Sequence, residues 1–180
     1  IRSISKLVTA GVDTITAYTL MLLNGTDMNT PEQRDKWGFV GKFRVLPRDF
    51  GKLANGKNVV EVEEVVAATK DLSFEDYVEL RRLHLIISTI YNGKGYASLF
   101  KFFRESELDV FLLLEGMLQN FSQAPITVRE SLVDFEKETR DELWDSEEDL
   151  RSFYSDDQNY DLLVSGDLGA NLLQKYVAAF

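Results

Sequence analysis

His84 is the only imidazole in this chain, and the chain contains no cysteine. One histidine and no thiolate can neither hold an iron–sulfur cluster nor complete a cysteine/histidine zinc site. Thiolate nucleophiles and disulfides are excluded as well. His84 lies between Leu83 and Leu85 in a helical stretch, away from any strained Gly-Ser elbow. No Ser–His–Asp arrangement can therefore be argued, and a packed, hydrogen-bonded histidine is its expected use.

Glu61, Glu63 and Glu64 could offer hard oxygen ligands to a divalent cation, with Glu61 and Glu63 on one strand face. A half-solvated strand explains them without a metal. Asp145, Glu147, Glu148 and Asp149 form an acidic run, but acid–base catalysis needs two environments that push carboxylate pKa values apart. A face turned to water does not provide them. Arg44 and Arg48 flank Leu46-Pro47 and could recognise a carboxylate or phosphate; pairing with nearby acids is the ordinary alternative. Asn24-Gly25-Thr26 and Gly38-Phe39-Val40-Gly41 lack the spacing of a phosphate loop or dinucleotide fingerprint and read as turns. No catalytic residue and no metal-ligand set emerges.

These groups must be placed by local structure. Ile4, Leu7 and Val8 predict a short helix closed by Gly11. Thr14 to Leu23 is β-branched, aromatic and finally all apolar, which predicts a strand covered on both faces and stopped by Asn24-Gly25. Thr30-Pro31 starts a helix over 31–37, which Gly38 ends. Phe43–Leu46 and Val59–Val66 predict an antiparallel hairpin with a long loop from Pro47 to Asn58.

From Ser73 the period becomes helical. Ser73 and Asp76 form a capping box, and Tyr77, Leu80, His84, Ile87 and Tyr91 recur at helical steps until Asn92-Gly93. Further helices are expected over 97–105, 107–121 and 127–153. The second is apolar nearly all round at Val110 to Leu114 and is the expected buried centre. The third puts Leu132, Phe135, Thr139 and Trp144 inside, with Glu142 and the acidic run in water. A terminal helix carries Val164, Leu168, Leu172, Tyr176 and Phe180 at four-residue steps. The expected fold is mainly α with a small β portion (α+β). Composition changes near Thr69, which suggests a β-containing segment over 1–69 and a helical domain over 70–180.

A formal charge of −10, from 30 acidic and 20 basic residues, argues against a phosphate-binding surface, so nucleic acid is not an expected partner. An apolar share of 44% is enough for a core in 180 residues. No apolar run reaches the roughly 18 residues of a membrane span, and a cytoplasmic setting is expected. The opening Ile1-Arg2-Ser3-Ile4 is not a secretory signal and reads as a cut inside a longer protein.

Four ordered pieces of the chain carry a resemblance. They are Ala10-Gly11-Val12-Asp13, the run Tyr18-Thr19-Leu20-Met21-Leu22-Leu23-Asn24-Gly25-Thr26, the run from Lys42 through Arg44, Leu46, Pro47 and Arg48 to Gly51, and Leu72-Ser73-Phe74-Glu75-Asp76-Tyr77. Together they resemble the C-terminal part of radical S-adenosylmethionine (SAM) proteins that carry a cobalamin-binding (B12-binding) domain. That family holds a 4Fe-4S cluster on a Cys-x-x-x-Cys-x-x-Cys loop of a partial β/α barrel, and those cysteines are absent here.

The resemblance covers about the first hundred residues. It implies the last helix and strand of the barrel, then a hairpin, with a C-terminal helical bundle beyond. It also implies a full-length oxidoreductase or methyltransferase that cleaves SAM reductively at its cluster, with cobalamin as a methyl carrier. This chain would line the cavity and would not be catalytic alone. Thr19, Met21 and Asn24 are then implied to approach SAM, and Arg44 and Arg48 the substrate, because barrels place ligand contacts beyond strand ends. The implied partner is the upstream part of the same polypeptide, or a second copy pairing through an exposed strand edge. The alternative is a free-standing acidic helical domain that binds a protein, and it predicts that Thr14 to Leu23 is covered within its own fold.

Overall fold

The computed structural model describes residues 1–177, so the expectation for Phe180 lies outside the described residues. Among the described residues the chain is mainly helical, with one two-stranded antiparallel sheet. It divides into two compact units, each discontinuous in sequence. One comprises 1–18, 78–137 and the segment from Leu173 onward; the other comprises 19–77 and 138–172. The composition change near Thr69 falls just after the second strand ends at Ala68, inside the second unit.

In the second unit, helix α2 (Pro31–Trp37) follows its sequence signals. The Thr30 hydroxyl accepts from the Gln33 N–H, Pro31 opens the helix, and Gly38 closes it at φ 61°, a left-handed conformation that favours glycine. Strands β1 (Val40–Lys52) and β2 (Asn58–Ala68) then form the expected hairpin. The expected long loop is corrected: β1 continues past Pro47 through a bulge between Val45 and Phe50, and only residues 53–57 turn the chain. Proline lacks an N–H and is tolerated where the ladder is already interrupted. Gly41 is not a turn either. It sits within β1, and a Cβ there would strike the Glu64 carboxylate.

The single helix expected over 127–153 is two, α6 (Ile126–Asp141) and α7 (Glu147–Ser155). Between them the Trp144 N–H and C=O exchange hydrogen bonds with Phe43, both at 2.8 Å, so the chain extends the β1 edge. Ser146 then caps α7 by accepting from the Asp149 N–H. The expected terminal helix is also divided, into α8 (Asp157–Ser165) and α9 (Leu172–Val177), because Gly166 and Gly169 both adopt positive φ. Val45 and Val60 of the hairpin, Leu150 and Tyr154 of α7, and Tyr160 and Leu163 of α8 make one buried cluster, completed by Phe43 and Trp144. Burying side chains of this size stabilises by roughly 1.5–3 kcal/mol each.

The first unit holds α1 (Arg2–Thr9), α4 (Ala97–Glu105), α5 (Val110–Gln119) and most of α3 (Phe74–Ile86) and α6. Helix α3 begins with the expected box, in which Ser73 and Asp76 exchange bonds, and runs into a π-helical turn over Ile87–Tyr91. Helix α5 is shorter than expected and one-sided. Val110, Phe111, Leu114 and Leu118 are buried, but Leu112 is 63% exposed, so α5 is not buried all round. Phe135 and Tyr176 meet edge to face at 5.4 Å.

Residues 14–23 lie outside helix and do not form the strand expected. Among the described residues their one ladder contact is an isolated antiparallel bridge, Met21 to Val65. The physical reason lies in the side chains that take the backbone of residues 12–17. The Asn92 carboxamide accepts from the Ile15 N–H (3.0 Å) and donates to the Ile15 C=O (2.8 Å). The Tyr91 hydroxyl donates to the Val12 C=O at 2.7 Å.

Candidate functional site

The five residues that the resemblance implicates all lie in the second unit. Leu20 to Leu22 lie against β2: the Leu22 N–H donates to the Glu64 C=O (2.9 Å) and the Val66 N–H donates to the Leu20 C=O (2.8 Å). Leu22 is buried, whereas Met21 is 40% and Leu23 51% exposed. Among the described residues, no backbone group bonds the Met21 N–H or C=O on the other side. The outcome is a short extended run with one edge paired and one edge open.

A charged chain of contacts fixes the end of that run. Arg34, on α2, grips the Glu64 carboxylate with both terminal nitrogens, at 2.9 and 2.5 Å. Its Nε donates to Asn29 Oδ1 at 2.8 Å. Asn29 Nδ2 in turn donates to the Leu22 C=O (3.0 Å) and to Asn24 Oδ1 (3.4 Å). The hydrogen bond with Glu64 holds the Arg34 guanidinium above its ordinary pKa. Bidentate Arg–carboxylate pairs fix orientation as well as charge. The loop after Leu23 is therefore set by a clamp of three side chains that no spacing pattern announces. Gly41 leaves room for the gripped carboxylate.

Arg44 faces Glu63 across the hairpin. Its Nε donates to Glu63 Oε1 at 2.6 Å and its Nη1 to Glu142 Oε1 at 3.2 Å. Burial opposes the charge on Arg44, but Glu142 and Glu63 outweigh it and hold its pKa above the ordinary value. The expectation that Glu142 faces water is thus corrected: its side chain is 14% exposed and pairs with Arg44. Burial, and then Glu142, raise the Tyr154 hydroxyl pKa. Tyr77 Oη is buried with no partner among the described residues.

Thr19, Met21 and Asn24 lie in and just after the short run that bridges β2 at Met21, Thr19 half-buried and the other two exposed. It does not present Arg44 and Arg48 as a free pair. Arg44 is taken by two carboxylates, the use set against ligand recognition in the sequence. Arg48 is exposed in the β1 bulge at φ 69°, and among the described residues no carboxylate pairs with it. A non-glycine residue there carries strain of about 1–3 kcal/mol.

His84 is 5% exposed, and its Nε2 accepts from the Ala17 N–H at 3.2 Å. Burial and the nearby Arg81 lower its pKa to about 4. It is the packed, hydrogen-bonded histidine expected. Among the described residues no cluster of three or more His, Cys, Asp or Glu could hold a metal ion, and no helix is long and apolar enough to cross a membrane. Compared with protein-family models and with curated proteins, the chain matches neither a family nor a protein.

Proposed function

We propose that this chain is the C-terminal part of a radical SAM protein of the cobalamin-binding kind, and that Thr19 to Asn24 forms part of the wall of its SAM and substrate cavity. The observation that carries the reading is the open edge at Met21. A run with Leu20, Met21 and Leu23 exposed and an unpaired N–H and C=O is a liability that a free-standing domain would cover. A neighbouring barrel strand would cover it in the whole protein.

The residues fit a wall and not a catalytic centre. With no cysteine the chain offers the cluster no ligand. When bound, the cluster, SAM and any cobalamin supply radical and methyl-transfer chemistry. This chain would contribute the edge around Thr19, Met21 and Asn24, held in place by the Asn29–Arg34–Glu64 clamp. Arg48, exposed and in a strained conformation, is the better placed of the two arginines to meet an anionic substrate group. Arg44 would act through the hairpin it braces.

The coding DNA upstream of Ile1 tests the proposal. The expected result is a reading frame that continues into a Cys-x-x-x-Cys-x-x-Cys segment. A start codon directly before Ile1 would overturn it and leave the acidic interaction domain as the better reading.

A further inference from the structure

A cleft of about 830 Å³ opens in the first unit, beside the π-helical turn. Its floor is Leu85, Ile86 and Leu132, all buried, and its walls are half-buried Ile90, Met117, Phe121 and Val128. Exposed Tyr96, Asn120 and Gln123 stand at the rim. The volume falls within the range of about 300–1,000 Å³ typical of small-molecule sites, which pair an apolar lining with a few polar groups. Although 28% of the chain is charged, none of the 17 lining residues among the described residues is. A charged ligand would lose its hydration there without compensation.

The local backbone gives a second, independent indication. Ser88, Thr89 and Ile90 of the π-turn line the cleft. In that turn the Asn92 N–H reaches back to the Ile87 C=O at 2.8 Å, and Thr89 Oγ1 donates to the Leu85 C=O at 2.8 Å. Single π-turns interrupt an α-helix and are frequent at functional sites. At the rim, Asn120 Nδ2 donates to the Gly116 C=O at 2.9 Å, and its Oδ1 has no hydrogen-bond donor among the described residues, which leaves it available as an acceptor.

We infer that this cleft binds an uncharged, largely apolar small molecule carrying one hydrogen-bond donor, a hydroxyl or an N–H. The apolar body lies against Ile90 and Met117 and the donor meets Asn120. The inference uses the first unit alone and stands whether or not the chain belongs to a radical SAM protein.

N-phenyl-1-naphthylamine, a neutral apolar fluorophore with a single N–H, is a suitable probe. The chain has three methionines: Met117 in the cleft, and Met21 and Met28 on the surface of the other unit. Titration of the unmutated chain, followed by dye fluorescence and by the methionine methyl resonances, should give saturable binding that moves the Met117 methyl and leaves the other two in place. Met117→Trp and Ala124→Trp, where they fold, should weaken binding at least about tenfold, and Leu112→Glu, outside the cleft, should not change it. Absence of saturable binding overturns the inference. So does binding that moves Met21 or Met28 but not Met117.

Discussion

Ile15 and Leu22 are both buried in a segment without regular secondary structure, yet different chemistry holds the backbone around each. Around Ile15 the partners are neutral: the Asn92 carboxamide, the Tyr91 hydroxyl and the unprotonated His84 imidazole. Around Leu22 the backbone bonds to β2 are backed by charge, through Asn29 to the Arg34–Glu64 pair, while Arg44 of the same hairpin bridges Glu63 and, beyond α6, Glu142. Neutral clamps lose little to salt but fail when the acceptor takes a proton. Charged clamps survive mild acid but fail badly when one partner is removed. The two regions should therefore break under different insults.

Removing a partner should do most damage in the charged region. Arg44→Met leaves Glu63 and Glu142, both mostly buried, without the cation between them. The expected loss is about 3–5 kcal/mol of unfolding free energy in urea. Adding Glu63→Leu and Glu142→Leu to Arg44→Met should restore much of it, since an apolar replacement leaves no uncompensated charge. If Arg44→Met costs under about 1 kcal/mol, the bridge is peripheral and the contrast collapses.

Acid should act first on the neutral region. The His84 pKa is about 4 in the folded chain, against 6.5 for a free histidine. Because the unfolded chain takes the proton more readily, this contribution to stability is complete above pH 6.5. It declines as the pH falls from 6.5 towards 4, by at most about 3 kcal/mol. The physical event is loss of the acceptor for the Ala17 N–H. His84→Gln keeps an acceptor without the titration and should flatten the profile over that window. Glu75, held low by Arg140, and Asp157, held low by Lys52 and Asn58, are depressed carboxylates. Their contribution is present above the ordinary carboxylate pKa and is lost only as the pH falls below about 4.

Asn92→Ala should cost less, about 1–3 kcal/mol, because it orphans the N–H and C=O of Ile15 without burying a charge. Hydrogen exchange at the Ile15 amide reads the effect directly. Protection there should fall while that of the Leu22 amide, bonded to Glu64, stays unchanged.

What the sequence discloses about these regions follows the range of the interactions. Thr30-Pro31 with Gly38, and Ser73 with Asp76, are local signals, and the structure obeys both. The mainly helical class, the hairpin and the packed His84 are legible for the same reason: periodicity and composition report the local environment. The segment 14–23 reads as a strand but bridges the sheet only at Met21; its partners sit at Asn92, His84 and β2, which no local pattern connects to it. The break between α6 and α7 is half legible. Ser146 before Glu147-Glu148-Asp149 is an N-cap signal, but an unbroken acidic, helix-favouring composition hides it, and the cause, Trp144 joining Phe43, is tertiary. Of the candidate site, Thr19, Met21 and Asn24 are placed by their own segment, whereas Asn29, Arg34 and Glu64 become a clamp only once α2 meets β2.

The smallest expected effect is at the open edge. Met21 is exposed, and neither its N–H nor its C=O has a backbone partner among the described residues. Met21→Lys should therefore change the stability of this chain by no more than about 0.5 kcal/mol. The Met21 amide should also exchange far faster than that of Leu22, whose N–H is bonded to Glu64. A protected Met21 amide would mean that a second copy already covers the edge, and dilution should then release the protection. If the edge is instead part of a barrel wall, the same Met21→Lys substitution that is silent here becomes costly in the longer polypeptide, where the layers on the faces of the wall would cover the lysine side chain. The difference between the two measurements isolates what the open edge is for.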